Sequence, residues 1–150
     1  MERDGERIEI TISSRFENIE LVQVIAEHLC ENAGVDEDGS HWIGMAVREA
    51  VANAIKHGNR QDLSKHVHLE MDVVADTLVI SIRDEGEGFD PGEVEDPLAP
   101  ENRLKTSGRG IFYMRTFMDD VRFQRHPRGG MEIVLKKNLG RIKEKEENPA

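Results

Sequence analysis

The stretch that decides the fold is Arg48-Glu-Ala-Val-Ala-Asn-Ala-Ile-Lys-His-Gly-Asn59. Apolar residues recur through it at three- and four-residue steps, which is typical of a helix that packs on a core. This stripe consists of Ile43, Val47, Ala50, Val51, Ala54 and Ile55. Glu49, Asn53 and His57 follow one another at four-residue steps and should therefore stack along a second face. Gly58 is expected to end the helix, as a glycine at the C′ position does.

The composition predicts a single soluble globular domain over residues 1–150, and its last residues, 138–150, are a charged tail. The chain is 37% hydrophobic and 33% charged, which is typical of such domains. A chain of 150 residues can bury a core without disulfides. The formal net charge of −10 argues against a nucleic-acid partner, because binding to phosphate backbones depends on clustered lysine and arginine.

The location is predicted to be cytoplasmic. No apolar run reaches the length of a membrane span, so no membrane partner is expected. The N-terminal residues are polar and lack the apolar segment of a signal peptide. Cys30 is the one cysteine and cannot form an internal disulfide, which favours a reducing compartment. It lies in an apolar helical segment and is interpreted as a core residue rather than a reactive thiol.

The segments before residue 48 read as a strand and a helix. Residues 7–12 alternate between polar and apolar side chains, which predicts a strand with one buried face. Ser14 and Glu17 have the spacing of a capping box at the start of a helical stripe, and residues 31–34 end that helix. Asp36, Asp38 or Ser40 is the candidate cap of the following helix.

The segments after residue 59 read mainly as strands. Residues 66–74 and 77–83 predict an antiparallel hairpin with Ala75 and Asp76 as a tight connection. Residues 121–124 and 131–135 predict two more strands, joined by a turn at 127–130. The expected fold is an α+β two-layer sandwich, with helices on one face of a mostly antiparallel sheet of about five strands.

Residues 89–107 contain three prolines and show no clear periodicity. A loop of this length within a compact domain is usually functional, so the segment is interpreted as a lid. The alternative is a disordered insertion.

Three further features are polar or glycine-rich and follow predicted elements. Glu49 and Asn53 present a carboxylate and a carboxamide one helical turn apart. The pattern Asp84-x-Gly86-x-Gly88 stands at the end of a strand, where glycines let the backbone approach a ligand closely. Gly108-x-Gly110 precedes a predicted helix, whose free N–H groups attract phosphate. Each feature alone is weak, but the three in this order indicate a nucleotide site.

The sequences of these motifs and their order along the chain resemble those of the GHKL (Bergerat-fold) ATPase superfamily, which includes gyrase and the histidine kinases. Residues 49–58 resemble its N-box, residues 84–88 its G1 box, and Ser107-Gly-Arg-Gly110 its G2 box. Within the superfamily, the short chain and the segment Arg-Glu-Ala-Val-Ala-Asn-Ala resemble the bacterial anti-sigma factor serine-protein kinases of partner-switching systems. The resemblance extends over about residues 8–137, which it implies to be the core of the domain.

The resemblance implies ATP and Mg²⁺ as ligands. Glu49 would be the general base, and Asn53 would ligate Mg²⁺ through oxygen. Asp84 would accept the adenine amino hydrogen, while Gly86 and Gly88 pass close to the nucleoside. The remaining positions implied to bind the nucleotide are Lys56, His57, Ser107, Gly108, Arg109, Gly110 and Ile111. His57 fits either a phosphate contact or a cation favoured by the helix C-terminus.

The resemblance also implies protein partners: a small anti-sigma-factor antagonist that accepts the phosphate, a sigma factor, and a homodimer partner. Two positions depart from the family pattern. Met131 follows Gly130 where related kinases usually carry threonine, and Leu21 falls near an arginine that helps relatives grip the sigma factor.

Three alternative functions stay open at this point. One is a nucleotide-dependent adaptor with little or no kinase turnover. Another is the ATP-binding domain of a histidine kinase, which would need a separate helical hairpin that bears the phosphoacceptor histidine. The last is a relic whose nucleotide site is empty, against which the intact motif residues speak.

Overall fold

A five-stranded sheet organises the residues that the computed structural model describes, 7–87 and 114–140. The elements are β1 (Arg7–Ser13), α1 (Glu17–Asn32), α2 (Glu37–Asn53), a π-helical turn (Ala54–Gly58), β2 (His66–Val74), β3 (Thr77–Arg83), β4 (Asp120–Arg125) and β5 (Met131–Asn138). The strand order is β1-β2-β3-β5-β4, and all neighbouring strands are antiparallel. The predicted α+β class and antiparallel sheet are confirmed.

The core lies between the helices and one face of the sheet. In β2, Val67, Leu69 and Met71 are buried, whereas the alternate residues lie on the other, more exposed face. All six residues of the predicted α2 stripe are at most 4% exposed. Each large aliphatic side chain buried in this way stabilises the fold by roughly 1.5–3 kcal/mol. The apolar residues that alternate along the strands and those that recur every three to four residues along the helices therefore form one hydrophobic core.

Cys30 is part of this core, as predicted, and is fully buried. Burial raises the pKa of its thiol to about 12, and the nearby carboxylates of Glu27 and Glu31 act in the same direction. The thiolate is therefore strongly disfavoured in the folded protein.

Several predicted turns and caps are also confirmed. Ala75 and Asp76 both have positive φ, 47° and 63°, which is the backbone of a tight type I′ hairpin turn. Gly34, with φ of 92°, follows the end of α1. Asp36 caps α2, because its Oδ1 accepts the N–H of Gly39 at 2.8 Å.

The capping role predicted for Ser14 is wrong. Phe16 occupies the N-cap position of α1, and no side chain caps that helix. Ser14 is buried, and its hydroxyl donates instead to the carbonyl oxygen of Lys65 at 2.8 Å. It therefore ties the end of β1 to the segment before β2.

Residues 114–117 form a helical turn within the helix predicted after Gly110. Met114 is fully buried, and the ring of Phe117 stacks on Trp42 of α2, with centroids 4.7 Å apart and planes at 15°. The segment that follows the predicted phosphate loop is thus anchored to α2. Among the described helices, none is long and apolar enough to cross a membrane.

Candidate nucleotide site

The described residues include half of the predicted site. Glu49, Asn53, Lys56, His57, Asp84 and Gly86 are described. Gly88, Ser107, Gly108, Arg109, Gly110 and Ile111 lie outside the described residues, as does the predicted lid at 89–107. The geometry of the site is therefore built from the end of α2 and from the segment that follows β3.

The end of α2 differs from the prediction. The α-helix ends at Asn53, and the chain continues as the π-helical turn Ala54–Gly58. The N–H of Asn59 closes this turn by donating to the carbonyl oxygen of Ala54 at 2.8 Å. A π-helical turn is a rare local insertion that occurs frequently at functional sites. Glu49 and Asn53 therefore share one face of the helix as predicted, whereas His57 lies in the π-helical turn and does not continue the four-residue spacing of that face.

Gly58 does not serve as a left-handed C′ glycine, which corrects the prediction made for it. The positive φ values that follow the helix belong to Arg60 and Gln61, at 53° and 60°. A Cβ atom on Gly58 would instead overlap the carboxylate of Asp84. Glycine is required at this position because the π-helical turn packs directly on that carboxylate.

Two other glycines pack around the same aspartate. A Cβ atom on Gly86 would overlap the carbonyl oxygen of Gly58, and one on Gly130 would overlap the carbonyl oxygen of Asp84. Gly130 also has φ of 83°, which a side chain disfavours. The backbone at Gly86 thus lies close to the N-box helix, and its approach to a nucleoside stays a prediction.

The carboxylate of Asp84 is held firmly and is only 5% exposed. Its Oδ1 accepts the N–H groups of Gly86 at 2.9 Å and of Met131 at 3.1 Å. Burial raises its pKa, although these two hydrogen bonds act in the opposite direction. Within residues 7–87 and 114–140, no hydrogen bond reaches Oδ2. One oxygen thus fixes the side chain through hydrogen bonds, and the other packs against Gly58.

Met131, at the position where relatives usually carry threonine, holds Asp84 in place through its backbone. Its N–H and its carbonyl oxygen both pair with Asp84, the latter by accepting the Asp84 N–H at 3.0 Å. The Met131 side chain is buried. The hold on Asp84 therefore does not need a hydroxyl at this position.

Glu49 and Asn53 lie one turn apart on α2 and are both partly buried. Neither side chain makes a hydrogen bond or an ion pair with any other residue that the structure describes. The Asn53 Nδ2 atom is fully buried and has no hydrogen-bond partner among the described residues. Buried polar atoms almost always have a partner, so this carboxamide is suited to complete its bonding with a ligand. By rotating about its terminal bond it can present oxygen, the ligand type that Mg²⁺ prefers.

Lys56 and His57 belong to the π-helical turn and are exposed. Partial burial and the charge of Lys56 both lower the pKa of His57. A lowered pKa favours the neutral imidazole, which opposes the interpretation of His57 as a cation at the helix C-terminus. The phosphate contact remains the prediction for this residue.

Asn59 and Glu85 are structural members of the site that the sequence pattern does not single out. Asn59 is 1% exposed and makes hydrogen bonds to three separate segments. The Glu85 carboxylate accepts the backbone N–H of His66 at 2.6 Å and pairs with Nε2 of His68 at 2.8 Å, which lowers its pKa. Only their neighbours in the sequence could have indicated these two residues: Asn59 directly follows Gly58, and Glu85 directly follows Asp84.

The fold and this site define the class of the protein. Residues 12–137 match the model of the histidine kinase-like ATPase domain, and the chain belongs to that family. Its curated relatives include the serine-protein kinase RsbW of Bacillus subtilis, 27% identical over 93% of this chain and 89% of the relative. The anti-sigma F factor of Heyndrickxia coagulans is 34% identical over 89% of this chain and 91% of the relative. The predicted resemblance is confirmed.

Solved structures show the same fold at lower identity. The RsbU and RsbW domains of a Mycobacterium tuberculosis protein align with a TM-score of 0.64 and 18% identity, over 89% of this chain and 32% of that longer chain. The histidine kinase domain of a blue-light-activated kinase from Erythrobacter litoralis aligns with a TM-score of 0.57 and 17% identity, over 89% of this chain and 64% of that one.

Proposed function

We propose that the protein is an ATP-dependent serine/threonine-protein kinase and anti-sigma factor. It phosphorylates a serine of a small antagonist protein and otherwise sequesters a sigma factor. The names of the relatives, serine-protein kinase and anti-sigma F factor, support both halves of this proposal. The observation that carries the kinase half is that Glu49 and Asn53 lie one turn apart, with neither side chain bonded to another described residue.

The nucleotide is held from two sides. Asp84, through its Oδ2 atom, accepts the amino hydrogen of adenine, and Gly58 and Gly86 keep that carboxylate in place. Asn53 lies on α2 and offers its oxygen to Mg²⁺. Bound Mg²⁺ would neutralise charge on the β- and γ-phosphates. Lys56 and Arg109 are the proposed side-chain cations, and Ser107 to Ile111 the backbone donors, for the phosphates.

Glu49 acts as the general base for transfer. Its carboxylate takes the proton of the attacking serine hydroxyl, while the bond from the serine oxygen to the γ-phosphorus forms and the bond to the β-phosphate oxygen breaks. ADP and phosphoserine are the products. Because no other described residue pairs with the Glu49 carboxylate, it is available to accept this proton.

Binding to a sigma factor must differ in detail from that of relatives with an arginine on the first helix. Leu21 lies on α1 and is 54% exposed, so this surface offers an apolar side chain in place of a charge. Homodimerisation and the cytoplasmic location stay predictions.

The test of the kinase is transfer of radiolabelled γ-phosphate from ATP to the cognate antagonist protein. We expect Glu49→Gln to lower the transfer rate by roughly 10²-fold or more and to leave ATP affinity near that of the wild type. Glu37→Gln, the same change at an exposed position of α2, serves as the control and should transfer at the normal rate. Undiminished transfer by Glu49→Gln would contradict the base assignment. A wild-type protein that binds ATP but never labels its antagonist would instead indicate the nucleotide-dependent adaptor.

A further inference from the structure

The Asn59 carboxamide uses nearly all of its bonding capacity in the protein interior. Its Nδ2 donates to the hydroxyl oxygen of Ser14 at 2.9 Å and to the carbonyl oxygen of His66 at 2.9 Å. Its Oδ1 accepts the N–H of Glu85 at 2.7 Å. The end of β1, the start of β2 and the segment after β3 are thus joined at one side chain.

The position of Asn59 also ties these segments to α2. Its backbone N–H closes the π-helical turn on Ala54, so the side chain is fixed relative to the helix that carries Asn53. Two donors and an acceptor at this length are available only from a carboxamide. Fully satisfied buried networks of this kind are rigid.

Glu85 is the neighbour of Asp84, and the segment has little room to move. Gly58 packs on the Asp84 carboxylate and Gly86 packs on the Gly58 carbonyl oxygen. The Glu85 side chain anchors the segment to β2 through His66 and His68. Its N–H bond to Asn59 anchors it to the end of α2. This hydrogen bond and the packing of Gly58 and Gly86 together set the distance between the proposed base-binding carboxylate and the helix that carries Asn53.

We infer that Asn59 is a positioning residue for base recognition, which fixes residues 84–86 against the end of α2 and thereby sets the preference for adenine over guanine. The inference rests on the proposed role of Asp84 in binding ATP. Without the Asn59 oxygen, the Glu85 N–H loses its partner, and the packing of Gly58 and Gly86 is left to hold residues 84–86 against the end of α2. The base contact weakens, while the phosphate contacts change less.

The experiment measures the dissociation constants of ATP and GTP for the wild type, Asn59→Ala, Asn59→Asp and Ser14→Ala. We expect the wild type to prefer ATP and Asn59→Ala to lose about tenfold of that preference, which corresponds to one hydrogen bond. Asn59→Asp keeps an acceptor for Glu85 but places its second oxygen against the carbonyl oxygen of His66, so it should lower the melting temperature and recover part of the preference. Ser14→Ala removes a different contact of Asn59, so it should lower the melting temperature and keep the preference.

An Asn59→Ala protein that folds and prefers ATP over GTP as strongly as the wild type would overturn the inference. That result would not contradict the proposed binding of ATP. A wild type without any base preference would overturn the role of Asp84 as well. If Asn59→Ala does not fold, hydrogen exchange in the wild type decides. Slow exchange of the Glu85 amide supports its bond to Asn59, and exchange at the rate of an open loop contradicts it.

Discussion

Replacing Gly58 with alanine tests the contact between the π-helical turn and Asp84. The new Cβ atom would overlap the carboxylate of Asp84. The carboxylate cannot move aside freely, because its Oδ1 atom accepts hydrogen bonds from the N–H groups of Gly86 and Met131. The overlap is relieved when Asp84 rotates away, which breaks both hydrogen bonds and leaves two N–H groups without an acceptor.

The size of the effect follows from these contacts. Each hydrogen bond contributes a net of about 1 kcal/mol, and a donor left without a partner in a buried site costs about 1–3 kcal/mol. Alanine is favoured over glycine by up to about 1 kcal/mol in a helix, which offsets part of the loss. Two such donors cost about 2–6 kcal/mol, so we expect the free energy of unfolding to fall by about 1–5 kcal/mol in all. ATP affinity should also fall, because the carboxylate that we propose to bind adenine is displaced.

Urea unfolding followed by circular dichroism measures the first effect, and equilibrium binding of ATP measures the second. Gly44→Ala is the matched control, since its Cβ atom would meet the Glu27 side chain on α1. Moving that side chain costs only partly exposed contacts, a hydrogen bond from Gln23 at 3.1 Å and a pairing with His41 at 3.3 Å, so Gly44→Ala should lose at most about 1 kcal/mol. The reasoning is refuted if Gly58→Ala matches Gly44→Ala in stability and the wild type in ATP affinity.

Three further substitutions or measurements probe the same site and the core. Burial raises the pKa of Asp84 in the folded state, so ionisation of this carboxyl opposes folding. The contribution of Asp84 to stability therefore falls as the pH rises from its pKa in the unfolded chain to its pKa in the folded protein. Asp84→Asn should therefore raise the free energy of unfolding at neutral pH, with a difference that shrinks in acid, and should weaken the preference for ATP over GTP. Equal slopes of stability against pH would contradict this. Asn53→Ala should abolish the increase in ATP affinity on adding Mg²⁺, as measured by titration calorimetry; an unchanged Mg²⁺ dependence would remove Asn53 as the metal ligand. The Cys30 thiol, with a pKa of about 12, should resist a thiol reagent at pH 8 until denaturant is added, and rapid labelling of the native protein would contradict its burial.

Local patterns predict most of the architecture. The alternation in residues 66–74 and 77–83 predicts two strands, and Ala75 and Asp76 form the tight turn between them. The apolar stripe of α2 is buried as predicted. These successes share a cause, because side-chain periodicity follows directly from backbone geometry. The lid and the glycine-rich phosphate loop, which lie outside the described residues, stay predictions.

The sequence by itself determined the helix that carries Glu49 and Asn53 and the placement of Asp84 at a strand end, because each depends on residues close together in the chain. It also determined the family, through the order of three such local motifs between residues 49 and 110. Tertiary structure alone decided that Gly58 packs on Asp84, that Ser14 bonds to Lys65 rather than capping α1, and that Asn59 joins three segments. The partners of Asn59 are 45 residues before it and 7 and 26 residues after it. Contacts of that kind exist only once the strands and helices have packed, so no local pattern in the chain reports them.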